Sequence, residues 1–190
     1  MARSARPQLT RDFVLEHKRV RIMEGAARSV YALGVSRSRI PELVAEGEVS
    51  RKTFYEIFGG EGGKDRCLKQ TLSWVWGQIL HDAAQTQTIR EGIAAVLDFA
   101  AEHPDRACLY LIYGPSISLG SHEEGLEAFA DLLDHDTFDE PARRMVVGGI
   151  ADVLRRQLFS SDVDPRLLLN SLTDFAESFA ADRAPLEVAA

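Results

Sequence analysis

The sequence predicts an all-α protein, with a short N-terminal helical unit and a longer helical bundle after it. Three observations carry that expectation. Apolar residues recur at the helical period of about 3.6 along most of the chain, with no alternating strand pattern. Serine and threonine caps, glycine stops and prolines punctuate the chain at helix-length intervals. The 190 residues are 45% hydrophobic and 27% charged, a balance that buries a core and fits one to two domains. No stretch approaches the roughly 18–20 apolar residues that span a bilayer. The longest apolar run, around residues 108–113, gives way to Gly114 and Pro115. Residues 1–11 are polar and basic with no apolar core behind them, so no secretory leader and a cytoplasmic location are expected.

The elements follow in order. Behind a basic arm (Arg3, Arg6, Arg11), Ile22, Ala26, Val30 and Leu33 form one helical stripe that stops at Gly34. A short helix is expected over residues 38–45, capped by Ser38 and with Pro41 in its first turn. Gly47–Glu48 makes a break. Ser50 then caps a second short helix over 51–58, ended by Gly59–Gly60. Beyond Gly63 the helices lengthen. Leu68, Leu72, Val75, Ile79 and Ala83 share a face over residues 64–84. Thr88 and Glu91 have capping-box spacing ahead of Ile93, Val96 and Ala100. His103–Pro104 breaks the chain, and a helix over 105–113 is expected to close at Gly114–Pro115. Ser121 and Glu124 repeat the capping-box spacing before a helix reaching about Leu133, and two further helices are expected over 141–159 and 165–180.

Charge divides along the same line. Residues 1–66 hold 13 Lys and Arg against 9 Asp and Glu, whereas residues 67–190 hold 9 against 20, which together give the net charge of -7. A basic third joined to an acidic remainder suits one surface to a polyanion, although chance variation in surface charge gives the same sums. The three N-terminal helices, the last two short and joined by a tight turn, match a helix-turn-helix. The last helix of such a motif lies in the DNA major groove, roughly 12 Å wide, with apolar residues inward and polar ones outward. Residues 50–58 read Ser-Arg-Lys-Thr-Phe-Tyr-Glu-Ile-Phe. Phe54, Ile57 and Phe58 fall on one face, and Ser50, Arg51, Lys52, Thr53 and Tyr55 cluster near the N-terminal end. Hydroxyls and cations there add to the field of the free N–H groups, which suits phosphate.

Over about residues 16–68 the sequence resembles the TetR-type transcriptional regulators. The resemblance rests on Arg19, Ile22, Ala26, Ala27, Tyr31, Gly34, Leu43, Val44, Val49, Ser50, Thr53, Phe54, Tyr55, Phe58 and Lys64. It implies that Thr53 and Tyr55 contact phosphate, that Arg51 and Lys52 reach base edges or phosphate, and that Ser38 and Arg39 touch the other strand. It implies a flanking phosphate for Lys64. Packing alone remains open for Tyr55, and plain solvation for Arg51 and Lys52. Arg3 and Arg6 read either as a minor-groove arm or as a disordered tail. Two departures stand out. Gly47–Glu48 replaces the family's Ala-Gly, which puts a non-glycine in a left-handed conformation at roughly 1–2 kcal/mol. Five residues separate Phe58 from Lys64, more than the family has, so Lys64 meets a different phosphate or none.

The resemblance also implies a small-molecule pocket in the second domain, for which Trp74, Phe99, His103, Tyr110 and Tyr113 are candidates; each fits a core position equally well. It implies a homodimer as well. Val146, Gly149, Ile150 and Val153 on one helix and Leu168, Leu172, Phe175 and Phe179 on the next make matching stripes, which pair across a two-fold or simply within the chain. The expected organisation is a flexible basic arm (1–11), a DNA-binding domain (12–63) and a ligand-binding and dimerisation domain (64–190). The expected function is a repressor released from a palindromic operator on double-stranded DNA by an unknown small-molecule effector. The alternative is a DNA-binding regulator without an effector.

Other chemistry is demoted. Residues 59–64 lack the strand, spacing and Ser/Thr of a phosphate-binding loop. His81, His103, His122 and His135 lack metal-site or catalytic clustering, and the acidic run around residues 123–134 reads as a solvated helix face. Cys67 and Cys108, 41 positions apart, read as buried inert thiols. No enzyme, cofactor, metal or membrane role is expected.

Overall fold

A computed structural model of the chain describes residues 11–134, 136–160 and 164–181. The basic arm, except Arg11, and His135 lie outside the described residues. The described residues are helical and contain no strand: α1 (Arg11–Leu33), α2 (Ile40–Glu46), α3 (Arg51–Phe58), α4 (Gly63–Ala83), α5 (Ile89–Glu102), α6 (Pro104–Cys108), α7 (Gly114–Ile117), α8 (Leu119–Ala130), α9 (Glu140–Ser160) and α10 (Leu169–Ala181). The chain forms two compact units, Met1–Thr71 and Leu72–Ala190.

In the first unit, α1 carries the expected stripe, and Ile22, Ala26 and Val30 are fully buried with Leu43 and Phe54. Gly34 ends α1 at φ +77°. The second helix starts later than the sequence suggests. Ser38 is buried and donates its hydroxyl to the Gly34 carbonyl (2.9 Å), so Arg39 is the N-cap and α2 begins at Ile40. Ser38 has the chemistry of a cap, but the loop behind α1 uses it first. The Arg39 N–H is instead met by the Glu42 carboxylate (3.0 Å).

The crossing of α1 over the end of α2 is set by two glycines. A Cβ on Gly25 would lie 2.4 Å from the Gly47 nitrogen and 2.6 Å from the Leu43 carbonyl oxygen. A Cβ on Gly47 would lie 2.7 Å from the Arg21 carbonyl oxygen. Gly47 is therefore committed to close approach, in a right-handed conformation (φ -81°). The left-handed turn falls to Glu48, at φ +49°, as the Gly47–Glu48 spacing predicts. Arg21 braces that residue through both the Glu48 carbonyl (3.0 Å) and its carboxylate (2.8 Å). Arg28 donates to the Glu46 carbonyl. Two cations thus meet carbonyls that the end of α2 leaves unpaired.

The second unit packs around Ile93, Leu97, Phe138, Val146, Leu154, Leu172 and Ala176. Thr88 caps α5, its oxygen accepting from the Glu91 N–H, and the Glu91 carboxylate returns to the Thr88 N–H (3.1 Å). Two boundaries differ from expectation. The chain does not close at Gly114–Pro115: Leu109–Tyr113 widen into a π-helical turn and α7 continues directly from it. Proline lacks an N–H and crowds the carbonyl four residues back, and the wider turn absorbs both. The cap of α8 is Ser118, accepting from the Ser121 N–H, and not Ser121.

Gly25→Ala should cost about 3 kcal/mol, because neither backbone at the crossing can yield to a methyl group. Gly60→Ala, with open space around it, should stay within about 0.5 kcal/mol of the parent. Urea unfolding of the two variants checks both values.

Candidate nucleic-acid interface and ligand cavity

Helix α3 has two faces. Phe54 and Phe58 are buried, with ring centroids 5.2 Å apart, and Arg19 lies over Phe58 at 5.7 Å. Burial of each ring stabilises the unit by roughly 1.5–3 kcal/mol and fixes which way the other face points. Ser50 caps the helix, its oxygen accepting from the Thr53 N–H (3.1 Å) and lying 3.0 Å from the Thr53 hydroxyl. Thr53 is buried, so its hydroxyl serves the cap, whereas Arg51 and Lys52 are exposed and Tyr55 is 46% exposed beside Phe54.

The cations of this unit differ in what they already hold. Arg11 pairs with Glu56 (2.9 Å), Arg19 with Glu16 (3.2 Å), Arg21 with Glu48 and Arg28 with Glu46. Arg37 donates to the Leu33 carbonyl (2.9 Å). Arg66 staples the glycine loop, donating to the carbonyls of Phe58 (2.8 Å) and Glu61 (2.7 Å), beside Gly59 and Gly62 at positive φ. Lys64 donates to the Val35 carbonyl (2.7 Å) and is half-buried, so the longer loop turns its ammonium onto the chain itself. By contrast, the side-chain cations of Arg51 and Lys52 have no partner among the described residues. They stand in the first turn of α3, where the helix dipole and free N–H groups already favour an anion. Arg39 is likewise exposed at the start of α2, while buried Ser38 is not.

The second unit holds a cavity of about 500 Å³, within the range of small-molecule sites. Phe99 and Tyr110 line it, together with Leu111 of the π turn, Phe129 of α8, and Val146 and Ile150 of α9. Tyr110 is buried and donates its hydroxyl to the His122 carbonyl (3.2 Å); a Cβ on Gly125 would collide with that hydroxyl. Burial raises the Tyr110 pKa and lowers that of His122. Trp74 and His103 line a separate, open groove, where Arg106 stacks on Trp74 at 4.7 Å. Tyr113 lines neither. Most of the cavity wall is invisible in the sequence, because aliphatic residues that line a hollow read the same as those that fill a core.

The apolar stripes of α9 and α10 divide by burial. Val146 and Leu172 belong to the chain's own core, and Gly149 is occupied by the Phe175 ring, which would lie 2.7 Å from a Cβ there. Ile150, Leu168 and Phe179 pack partly buried against that core. Val153 and Phe175 are partly open, and Met145, Phe159 (79%) and Leu167 (74%) are the more exposed apolar residues. Among the described residues no helix is long and apolar enough to cross a membrane, and no group of three metal-ligating side chains occurs.

No protein-family model matches the sequence, and no curated protein matches it. Solved structures do match. The fatty acid degradation regulator FadR from Bacillus halodurans aligns with TM-score 0.70 at 15% identity, covering 87% of this chain and 96% of its own. The transcriptional regulator FadR from Bacillus subtilis, in complex with stearoyl-CoA, aligns with TM-score 0.69 at 18% identity, covering 85% and 97%. A TetR-like transcriptional regulator from Rhodococcus sp. RHA1 aligns with TM-score 0.61 at 16% identity, covering 91% and 96%. The chain has the all-α fold of these transcriptional regulators.

Both cysteines are buried, and burial pushes the Cys67 thiol up to about 12 and the Cys108 thiol to about 11. At pH 8 the reactive thiolate is then a fraction of roughly one in a thousand or less. Ellman's reagent should leave the native chain unlabelled over the time in which a urea-unfolded sample reacts at both thiols. Rapid native labelling would contradict the burial.

Proposed function

We propose that the chain is a homodimeric DNA-binding repressor that releases a palindromic operator when a small molecule occupies the second unit. The observation that carries this reading is a pair of cations without a partner among the described residues, Arg51 and Lys52, at the exposed, capped N-terminus of a helix whose other face is anchored by Phe54 and Phe58. Residues 12–63 are assigned to DNA binding and residues 64–190 to ligand binding and dimerisation. Arg51, Lys52 and Tyr55 provide base-edge and phosphate contacts, and Arg39 contacts the opposite strand. Ser50 and Thr53 hold the end of α3 in shape, Ser38 does the same for the loop before α2, and Lys64 ties that loop rather than a phosphate.

The exposed apolar residues Met145, Val153, Phe159, Leu167 and Phe175 support a subunit contact on α9, on α10 and on the segment leading into α10. Two copies then present two α3 helices to half-sites one helical turn apart, roughly 34–36 Å, or a multiple of it. The cavity of about 500 Å³ supports effector control over an effector-free regulator. An effector shifts the equilibrium by its difference in affinity between the DNA-competent form and the other, and by no more.

Fluorescence anisotropy against fragments of the protein's own upstream region tests the DNA reading. Arg51→Ala with Lys52→Ala should weaken binding at least about tenfold and lower the salt slope by roughly one for each phosphate no longer neutralised, with the circular dichroism spectrum unchanged. Unaltered affinity and slope would remove α3 from the interface. Met145→Glu with Val153→Glu should convert the dimer to a monomer in light scattering and abolish tight operator binding. A persisting dimer would place the subunit contact elsewhere.

A further inference from the structure

The cavity's polar lining is one-sided. Among the described residues that line it there is no lysine, arginine or histidine, while Asp134 and Glu177 bring two carboxylates. The remaining polar groups come mostly from the connections between helices: Thr86, Gln87 and Thr88 between α4 and α5, and Thr137 with Asp134 between α8 and α9. The hydroxyl protons of Thr86 and Thr137 are already engaged. The Thr86 hydroxyl donates to the Ala83 carbonyl (2.7 Å), and the Thr137 hydroxyl donates to the Asp134 carboxylate. The Tyr110 hydroxyl is turned to His122. Deeper in, Phe99, Leu111, Phe129 and Ile150 form an apolar wall. The site therefore offers mainly hydrogen-bond acceptors and negative charge around an apolar hollow, with the Gln87 amide as a neutral donor.

We propose that the effector is an apolar molecule whose polar end is a hydrogen-bond donor, neutral or cationic, and that the cavity rejects carboxylates and acyl-phosphate conjugates. This rests on the effector-controlled reading and specifies its ligand. An anion entering the hollow loses its water without gaining a cation among the described lining residues and meets like charge at Glu177. An ammonium or hydroxyl donates to the acceptors already in place. The ligand class thus differs in charge from the stearoyl-CoA bound by the structural neighbour from Bacillus subtilis.

The test displaces the neutral fluorophore N-phenyl-1-naphthylamine from the full chain at pH 8 with three ligands of one chain length, all below their micelle concentrations. Dodecylamine and dodecanol should displace it at concentrations about tenfold or more below dodecanoate, because the ammonium's lost hydration is offset by the nearby carboxylate whereas the anion's is not. Glu177→Gln should reduce the advantage of dodecylamine over dodecanol about threefold or more, leaving dodecanol unchanged. Asp134→Asn is the second variant, checked by thermal melting because Asp134 also shapes its loop. Displacement by dodecanoate or stearoyl-CoA at concentrations equal to or below those of dodecylamine would overturn the proposal. So would a ranking unaffected by either substitution, or failure of all three ligands to displace the probe. DNA anisotropy on the same samples separates the two readings. Intact operator binding with the wrong ligand ranking sinks the ligand class alone, and absent operator binding with the expected ranking sinks the repressor reading alone.

Discussion

The backbone contact between Gly25 and Gly47 constrains everything presented by the first unit. Two helices approach there too closely for a side chain on either one. The turn after α2 must then be left-handed one residue later than a glycine would prefer, and Glu48 adopts that conformation. The strain, of the order of 1–2 kcal/mol, is opposed by Arg21, which holds the Glu48 carbonyl and carboxylate together. The same bond neutralises an anion on the basic unit, so the unusual Gly47–Glu48 turn takes little from the positive field of the surface. The Ser50 cap and α3 follow directly, with Phe54 and Phe58 closing the unit.

Charge in this unit is sorted by use. Arginines on α1, in the connection to α2 and in the first turn of α4 brace helix ends and carbonyls, where a cation complements the local dipole. Arg51 and Lys52 brace nothing among the described residues. A net charge of -7 conceals this, because solubility reads the sum while an interface reads the unpaired groups on one face. The acidic second unit is arranged differently, with its hollow bordered by carboxylates and closed by aromatic and aliphatic walls.

Helix periods and several caps were legible in the sequence. The stripe Ile22, Ala26, Val30 and the Thr88–Glu91 box appear where spacing places them, since both depend on local geometry alone. Local rules failed where two equivalent groups competed. Ser38 and Arg39 both precede α2, and a hydrogen bond to Gly34 decided between them. Ser118 and Ser121 stand three apart, and Ser118 takes the cap by accepting from the Ser121 N–H. Pro115 signals a stop, yet a π turn lets the helix pass it. In α9 the stripe reads as one apolar surface, whereas the fold divides it: Val146 and Ile150 turn to the core and the cavity, and Val153 is partly open. Periodicity shows which residues avoid water and is silent on what covers them. The fate of Lys64 was half-legible, since the long glycine loop signals a displaced ammonium but not its acceptor at Val35.

The central claim, that the first turn of α3 faces DNA, is tested most directly by photo-crosslinking. A benzophenone side chain placed at position 52 should form an adduct within each half-site of the operator, while the same group at exposed Leu119 of α8 should form none. Adducts from position 119 with none from position 52 would contradict the account and move the nucleic-acid surface away from α3.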